Sequence, residues 1–188
     1  MKFLKKNIIK IPKDVQIIYF KKNEYLLILG PLDRKLIKVN FKIYLSNKKN
    51  IVYITNNLIT KKLDNLQKRN IKALRKNLNS KIKQNILESS ITINKRLKLV
   101  GVGLKVFRVN KNLIHFNLGF SHSIYHKIPK KIEIKTGKSN SIFIFGNSVQ
   151  IVTQLACNIK SYKKPEPYKG KGILYYNEKI KLKQGKKL

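Results

Sequence analysis

The sequence predicts an α+β protein of two duplicated lobes, each a small antiparallel sheet packed against a helix, plus an extended basic C-terminal tail. Three observations carry that expectation. Pairs of strand-like stretches recur at a near-constant offset, an amphipathic stripe follows each copy, and apolar periodicity lapses after Lys163.

Taken in order, Phe20–Gly30 (FKKNEYLLILG), shifted by 89, lies without a gap on Val109–Gly119 (VNKNLIHFNLG). Lys22, Asn23, Leu29 and Gly30 match Lys111, Asn112, Leu118 and Gly119. Each copy reads as a β-hairpin: an apolar strand, a Lys-Asn turn, and a second apolar strand ending at glycine. Shifted by 91, Phe41–Asn57 lies on Ile132–Ser148, and each is two β-rich stretches around a polar turn. Helices follow. Ile71, Leu74, Leu78, Ile82 and Ile86 are spaced by 3, 4, 4 and 4. Val149, Val152, Ala156 and Ile159 are spaced by 3, 4 and 3, with Ser148 at the N-cap position. A rival register, Ile11-Pro12-Lys13 on Ile128-Pro129-Lys130, leaves the first copy without a helix and is rejected. The resulting division is an N-terminal lobe, 1–88, a C-terminal lobe, 89–164, and a tail, 165–188.

Charge narrows the function. The 188 residues hold 43 Lys+Arg against 8 Asp+Glu, a net charge of +35, while 42% hydrophobic content suffices for a core. A compact body so charged repels itself, and a polyanion is its natural counterweight. That argues against a free-standing enzyme acting on small neutral substrates. No apolar run approaches the roughly 18 residues of a membrane span. Met1–Lys10 is basic but carries neither a signal-peptide core nor transit-peptide character, so nothing is expected to be removed. The chain has 38 Lys, 20 Asn and 27 Ile but only 5 Arg and 2 Ala. This is the mark of A/T-rich codons. It points to a protein made inside an organelle, with a parasite or endosymbiont bacterium as the competing source.

Catalytic constellations are sparse. Cys157 is the sole cysteine, so neither a disulfide nor a multi-cysteine metal site is expected, and the helical position after Leu155 and Ala156 reads as a small buried hydrophobe. Ser121-His122, beside His126, is the nearest approach to a nucleophile–base pair, yet the nearest acid to orient it is Glu133. His115 is expected to face outward from its strand. The eight acids are scattered singly, and Gly101-Val102-Gly103 lacks the helix and third glycine of a dinucleotide fingerprint. No active site, metal or cofactor is expected.

Phosphate binding is better supported. The tail begins Lys163-Lys164-Pro165-Glu166-Pro167-Tyr168-Lys169-Gly170-Lys171-Gly172-Ile173. Pro165 and Pro167 are expected to hold the chain extended. Gly170 and Gly172 lack side-chain bulk, so backbone N–H groups can approach a phosphate or sugar. Lys169 and Lys171 supply charge, and Tyr168 offers a face for stacking. The lysines of the first helix (Lys72, Lys76, Lys81, Lys83) point away from its apolar stripe.

Leu99-Val100-Gly101-Val102-Gly103, Leu118-Gly119-Phe120-Ser121-His122 and the Pro165–Ile173 run together resemble the family of ribosomal protein six of the large subunit, bacterial and organellar type. The likeness covers about 95–185 and is looser in the first lobe. It implies a non-enzymatic protein of two duplicated α+β lobes, bound to large-subunit ribosomal RNA near the sarcin–ricin loop and the stalk base, where translational GTPases dock. Neighbouring ribosomal proteins are the other implied partners, and no homo-oligomer is expected. Carried over by match, the second lobe and tail make the main contacts, through Ser121, His122, Tyr168, Lys169, Gly170, Lys171 and Gly172. Lys163 and Lys164 extend that group, and Arg96 and Lys98, leading into the GVG stretch, join it. Leu104, Ser123, Thr153 and Lys160 depart from the family pattern. The composition favours a mitochondrial ribosome over a plastid one. The rival readings are an RNA-processing enzyme using His122 and His126, and a polybasic protein on anionic membranes.

Overall fold

The computed structural model describes residues 8–46, 50–58, 71–137 and 140–185. The chain divides into two compact units, 1–92 and 93–188. Met1–Asn7 and the centres of both polar turns expected at the 91-residue offset lie outside the described residues.

In the first unit, β1 (Ile8–Lys10), β6 (Ile51–Leu58) and β5 (Phe41–Ser46) form one antiparallel sheet in that order. A second sheet holds β2 (Gln16–Phe20), β3 (Tyr25–Leu29) and β4 (Arg34–Lys38). Alternation decides what each strand buries: Leu26 and Ile28, Phe41 and Ile43, and Val52 and Ile54 all face the core. Helix α1 (Ile71–Ser90) adds Ile82 and Ile86, with Ile71 and Leu78 packed at the margin.

Six strands later the same pairing returns. β7 (Ile93–Val100), β12 (Ser141–Gly146) and β11 (Ile132–Gly137) repeat the first sheet, and β8 (Lys105–Asn110), β9 (Leu113–Asn117) and β10 (Ile124–Lys127) repeat the second. Helix α2 (Val149–Tyr162) buries Val152, Leu155, Ala156 and Ile159 against Leu97, Phe116, Ile134 and Ile144. The fold is α+β and duplicated, as the sequence predicts.

Four details depart from expectation. Ile17 and Val106 are equivalent, opposite Ile28 and Phe116 respectively, at the expected offset of 89. The following strand is offset by 88, because the inward pairs are Leu26 with Ile28 and Ile114 with Phe116. The second hairpin turn has two residues (111–112) against four (21–24), a bulge between Arg108 and Asn110 restores one, and the net one-residue slip turns a whole strand over. Leu74 is exposed. Ile71 and Leu78, one turn to either side, pack at the margin of the core, so the stripe is interrupted at this one position. Cys157 is exposed, because it stands one residue, about 100°, beyond buried Ala156. Ser148 does occupy the N-cap in extended backbone, but its hydroxyl caps nothing.

The tail departs most. Gly172–Tyr175 is a strand, β13, paired antiparallel with β7 so that Ile173 faces Leu99, and both Ile173 and Leu174 are buried. It completes a four-stranded sheet in the order β11-β12-β7-β13.

Candidate nucleic-acid interface

The run before β13 is a closed loop rather than an extended arm. The Ile173 N–H donates to the Lys163 carbonyl at 2.9 Å, the Glu166 N–H to the Lys171 carbonyl at 2.9 Å, and the Gly170 N–H to the Glu166 carbonyl at 2.9 Å. Those bonds turn the chain at 167–169 and leave Tyr168, Lys169 and Lys171 exposed around its tip. Gly170 permits the turn with φ +67. From behind, the Lys183 N–H donates to the Pro167 carbonyl at 2.9 Å. The tip is therefore braced on both sides by backbone, with its charged side chains free.

Gly172 has a different role from the one its sequence suggests. It is buried at φ +147, and a Cβ there would stand 2.7 Å from Pro165 Cα and 2.8 Å from the Lys164 carbonyl oxygen. Its missing side chain admits Pro165, not a phosphate. The GVG turn lies alongside: a Cβ on Gly101 would stand 3.6 Å from Lys171 Cβ, and Val102 at the turn is 95% exposed.

A second group gathers at the root of the loop. Lys163 donates from Nζ to the Leu118 carbonyl and lies 5.0 Å from the centre of the Phe120 ring. Phe120 in turn stacks on His122, with ring centres 5.9 Å apart and planes 15° from parallel. Lys163 thus ties the loop that presents Ser121 and His122 to the foot of the Tyr168–Lys171 tip. Its charge is engaged within the protein, while Lys164, Ser121 and His122 are exposed.

Arg96 and Lys98 stand apart, on the face of β7 turned away from α2. The Arg96 guanidinium is clasped between Phe143, 4.8 Å away, and Tyr176, 4.0 Å away. Its Nε is buried without a hydrogen-bond partner. Such packing makes Arg96 a cation–π element of the sheet. Lys98 lies near enough to Glu178 to help hold that carboxyl below its usual range. The larger cause is the Lys160 ammonium, which donates to it at 2.6 and 2.7 Å.

The histidine-enzyme reading finds no site. His126 shares a 2.5 Å hydrogen bond from Nδ1 with the Tyr162 hydroxyl, and its Nε2 is buried. Burial also pulls its pKa below the ordinary histidine value. Neither ring nitrogen is presented to a substrate, so no general acid or base is available there. Among the described residues, no group of three or more His, Cys, Asp or Glu could hold a metal ion. None of the described helices is long and apolar enough to cross a membrane.

Residues 100–176, which span the GVG turn, the Ser121-His122 loop and the basic tip, match the family model described as Ribosomal protein L6. The chain is similar to the large ribosomal subunit protein uL6 of Mycoplasma genitalium, 36% identical over 163 residues, covering 86% of this chain and 84% of that protein. The Mycoplasma capricolum protein of the same name is 40% identical over 131 residues, 70% of this chain and 71% of its own length. The chain belongs to the ribosomal protein L6 family. A third relative of that name, from Buchnera aphidicola, is 43% identical over 102 residues, 54% of this chain and 57% of its own length. These L6 relatives are bacterial, and each is named a large ribosomal subunit protein.

Phe120, Tyr176 and Phe143 are absent from the sequence-derived site. Phe120 was signalled by its place directly before Ser121, whereas the other two become visible only when β12, β7 and β13 lie side by side.

Proposed function

We propose that this L6 family member is a structural constituent of the large ribosomal subunit that binds large-subunit rRNA through the Tyr168–Lys171 tip and the adjoining Ser121-His122 loop. One observation carries the reading: a backbone-braced loop presents two unpaired lysines and an exposed tyrosine inside the family-matched segment. Lysine is a point charge for phosphate, and the tyrosine offers a stacking face for a base or ribose. The family resemblance supports a seat near the sarcin–ricin loop and stalk base, beside neighbouring ribosomal proteins and docking translational GTPases. The C-terminal lobe, 89–164, makes the main contacts, with the tail, 165–188, gripping through its tip.

For the compartment, the A/T-rich composition supports a mitochondrial ribosome, with a plastid as the alternative. The bacterial relatives support the endosymbiont or parasite source. Locating the coding gene, on an organelle or a bacterial chromosome, decides between them.

The test is a Lys169→Ala, Lys171→Ala double variant in filter binding to large-subunit rRNA across a potassium chloride series. Each lysine lost from a phosphate removes one released counterion, so the log–log salt slope should flatten by about two. Unchanged affinity and slope would defeat the proposal. Removing 163–188 outright is a poorer test, because it also strips β13 from the sheet and uncovers Leu97 and Leu99.

A further inference from the structure

The two units carry equivalent sheet faces with different chemistry. Across β2, β3 and β4, Ile18 faces Leu27 and Leu27 faces Leu36, an aliphatic row on the side away from the core. The equivalent row across β8, β9 and β10 is Phe107, His115 and Tyr125. Its rings are stacked. Phe107 and His115 centres are 6.0 Å apart at 17°, and His115 and Tyr125 centres are 4.9 Å apart at 28°. The outer two rings are 50% and 59% exposed.

Cross-strand aromatic pairing alone would stabilise the sheet modestly. That explanation leaves the middle ring unaccounted for. The Nε2 of His115 is buried without a hydrogen-bond partner, an unfavourable state that the leucine at the equivalent place avoids. The surroundings are basic as well. Lys105 lies two residues before Phe107 and Lys127 two after Tyr125, so both share the face of the row and both are exposed. No acid occurs between Glu88 and Glu133. From Tyr125 the row also runs directly back into the Ser121-His122 loop.

We infer that the Phe107–His115–Tyr125 row is a second RNA surface, on which unpaired bases of the rRNA stack while Lys105 and Lys127 meet the flanking phosphates. The inference rests on the rRNA-binding reading above and adds a contact of another kind. Stacking releases no counterion, so it raises affinity at every salt concentration alike.

The probe is a large-subunit rRNA transcript from Mycoplasma capricolum. The variant is Phe107→Ile, His115→Leu, Tyr125→Leu, which installs the residues the first unit already carries in the same sheet position. Circular dichroism reports the fold. The expected result is affinity weaker by about tenfold with an unchanged salt slope, against a flattened slope for Lys169→Ala, Lys171→Ala. Wild-type affinity in the row variant, with the lysine variant impaired, would overturn the inference and leave the rRNA-binding reading standing. Wild-type affinity in both would remove that reading itself. Should the row variant misfold, photocrosslinking of the wild-type chain to a 4-thiouridine-substituted transcript gives the answer. Adducts on Phe107 or Tyr125 support the stacking row, and adducts confined to 163–176 overturn it. A row variant that binds free rRNA normally but fails to enter subunits would assign the face to a neighbouring protein, and so overturn the RNA assignment too.

Discussion

Gly172→Ala should be among the most damaging single changes in the second unit, and its size can be worked out from neighbouring glycines. At φ +147 an alanine sits in a region that L side chains rarely adopt, a strain of about 1–3 kcal/mol. Its Cβ would also meet Pro165 Cα at 2.7 Å, the Lys164 carbonyl oxygen at 2.8 Å and Pro165 N at 2.9 Å. All three are backbone atoms of a proline-stiffened segment that cannot rotate aside, so overpacking adds about 1–3 kcal/mol. A total of about 4 kcal/mol in a unit of this size lowers Tm by about 16–32 °C. Gly103 provides the control for strain alone, with φ +78 and nothing within 4 Å of its Cβ position. With the same strain, about 2 kcal/mol, Gly103→Ala should lower Tm by about 8–16 °C. Gly185 has neither a positive φ nor a neighbour within 4 Å, and Gly185→Ala should be silent. The assay is thermal unfolding followed by circular dichroism at about 0.5 M potassium chloride, which screens the chain's self-repulsion. If Gly172→Ala melts within a few degrees of Gly103→Ala, the close fit against Pro165 is wrong, and with it the account of how the basic tip is held.

The remaining predictions concern buried and paired polar groups. Burial holds the His126 pKa below that of the unfolded chain, so the unfolded state binds the extra proton. Stability of the second unit should therefore fall as pH drops below about 6.5, and His126→Gln should flatten that dependence in denaturant titrations at pH 7.5 and 5.5. Glu178 shows the opposite arrangement, a carboxyl held down chiefly by the Lys160 hydrogen bond. Its contribution is present above the ordinary carboxylate range and lost on acidification. Lys160→Met should cost about 1 kcal/mol at neutral pH and nothing extra near pH 3, read from urea midpoints. Lys35 reaches the buried carboxylate of Glu88, which also accepts from Gln84 at 2.8 Å. Lys35→Met should destabilise the first unit by about 3 kcal/mol in the same assay, whereas the exposed Lys72→Met should leave it unchanged.

How much of this was legible in the sequence depends on the distance over which each fact is decided. The helical stripes were readable because a 3.6-residue period fixes a face locally, and Ile82, Ile86, Val152 and Ile159 are buried accordingly. The hairpins were readable in kind but not in register. A turn two residues shorter, partly offset by the bulge in β8, shifts β9 by one residue against β3, and a gapless match of letters passes over that difference. β13 was hidden because its partner lies far upstream. Nothing near Ile173 says that Leu99 waits across a ladder, so a short apolar cluster among lysines reads as an exposed arm. Charge misled in a related way. A lysine in the sequence counts as a free cation, yet Lys163 is bound to the Leu118 carbonyl, Lys160 to Glu178 and Lys35 to Glu88. The surplus of +35 is large enough that these losses leave the polyanion argument intact, but they decide which lysines can serve it. Lys169 and Lys171 qualify because backbone bonds, not side-chain pairs, hold the loop beneath them. Gly172 shows the same separation of duties from the other side. In a Lys-Gly-Lys-Gly run both glycines look like space for a phosphate, and only the fold reveals that one of them is already filled by Pro165.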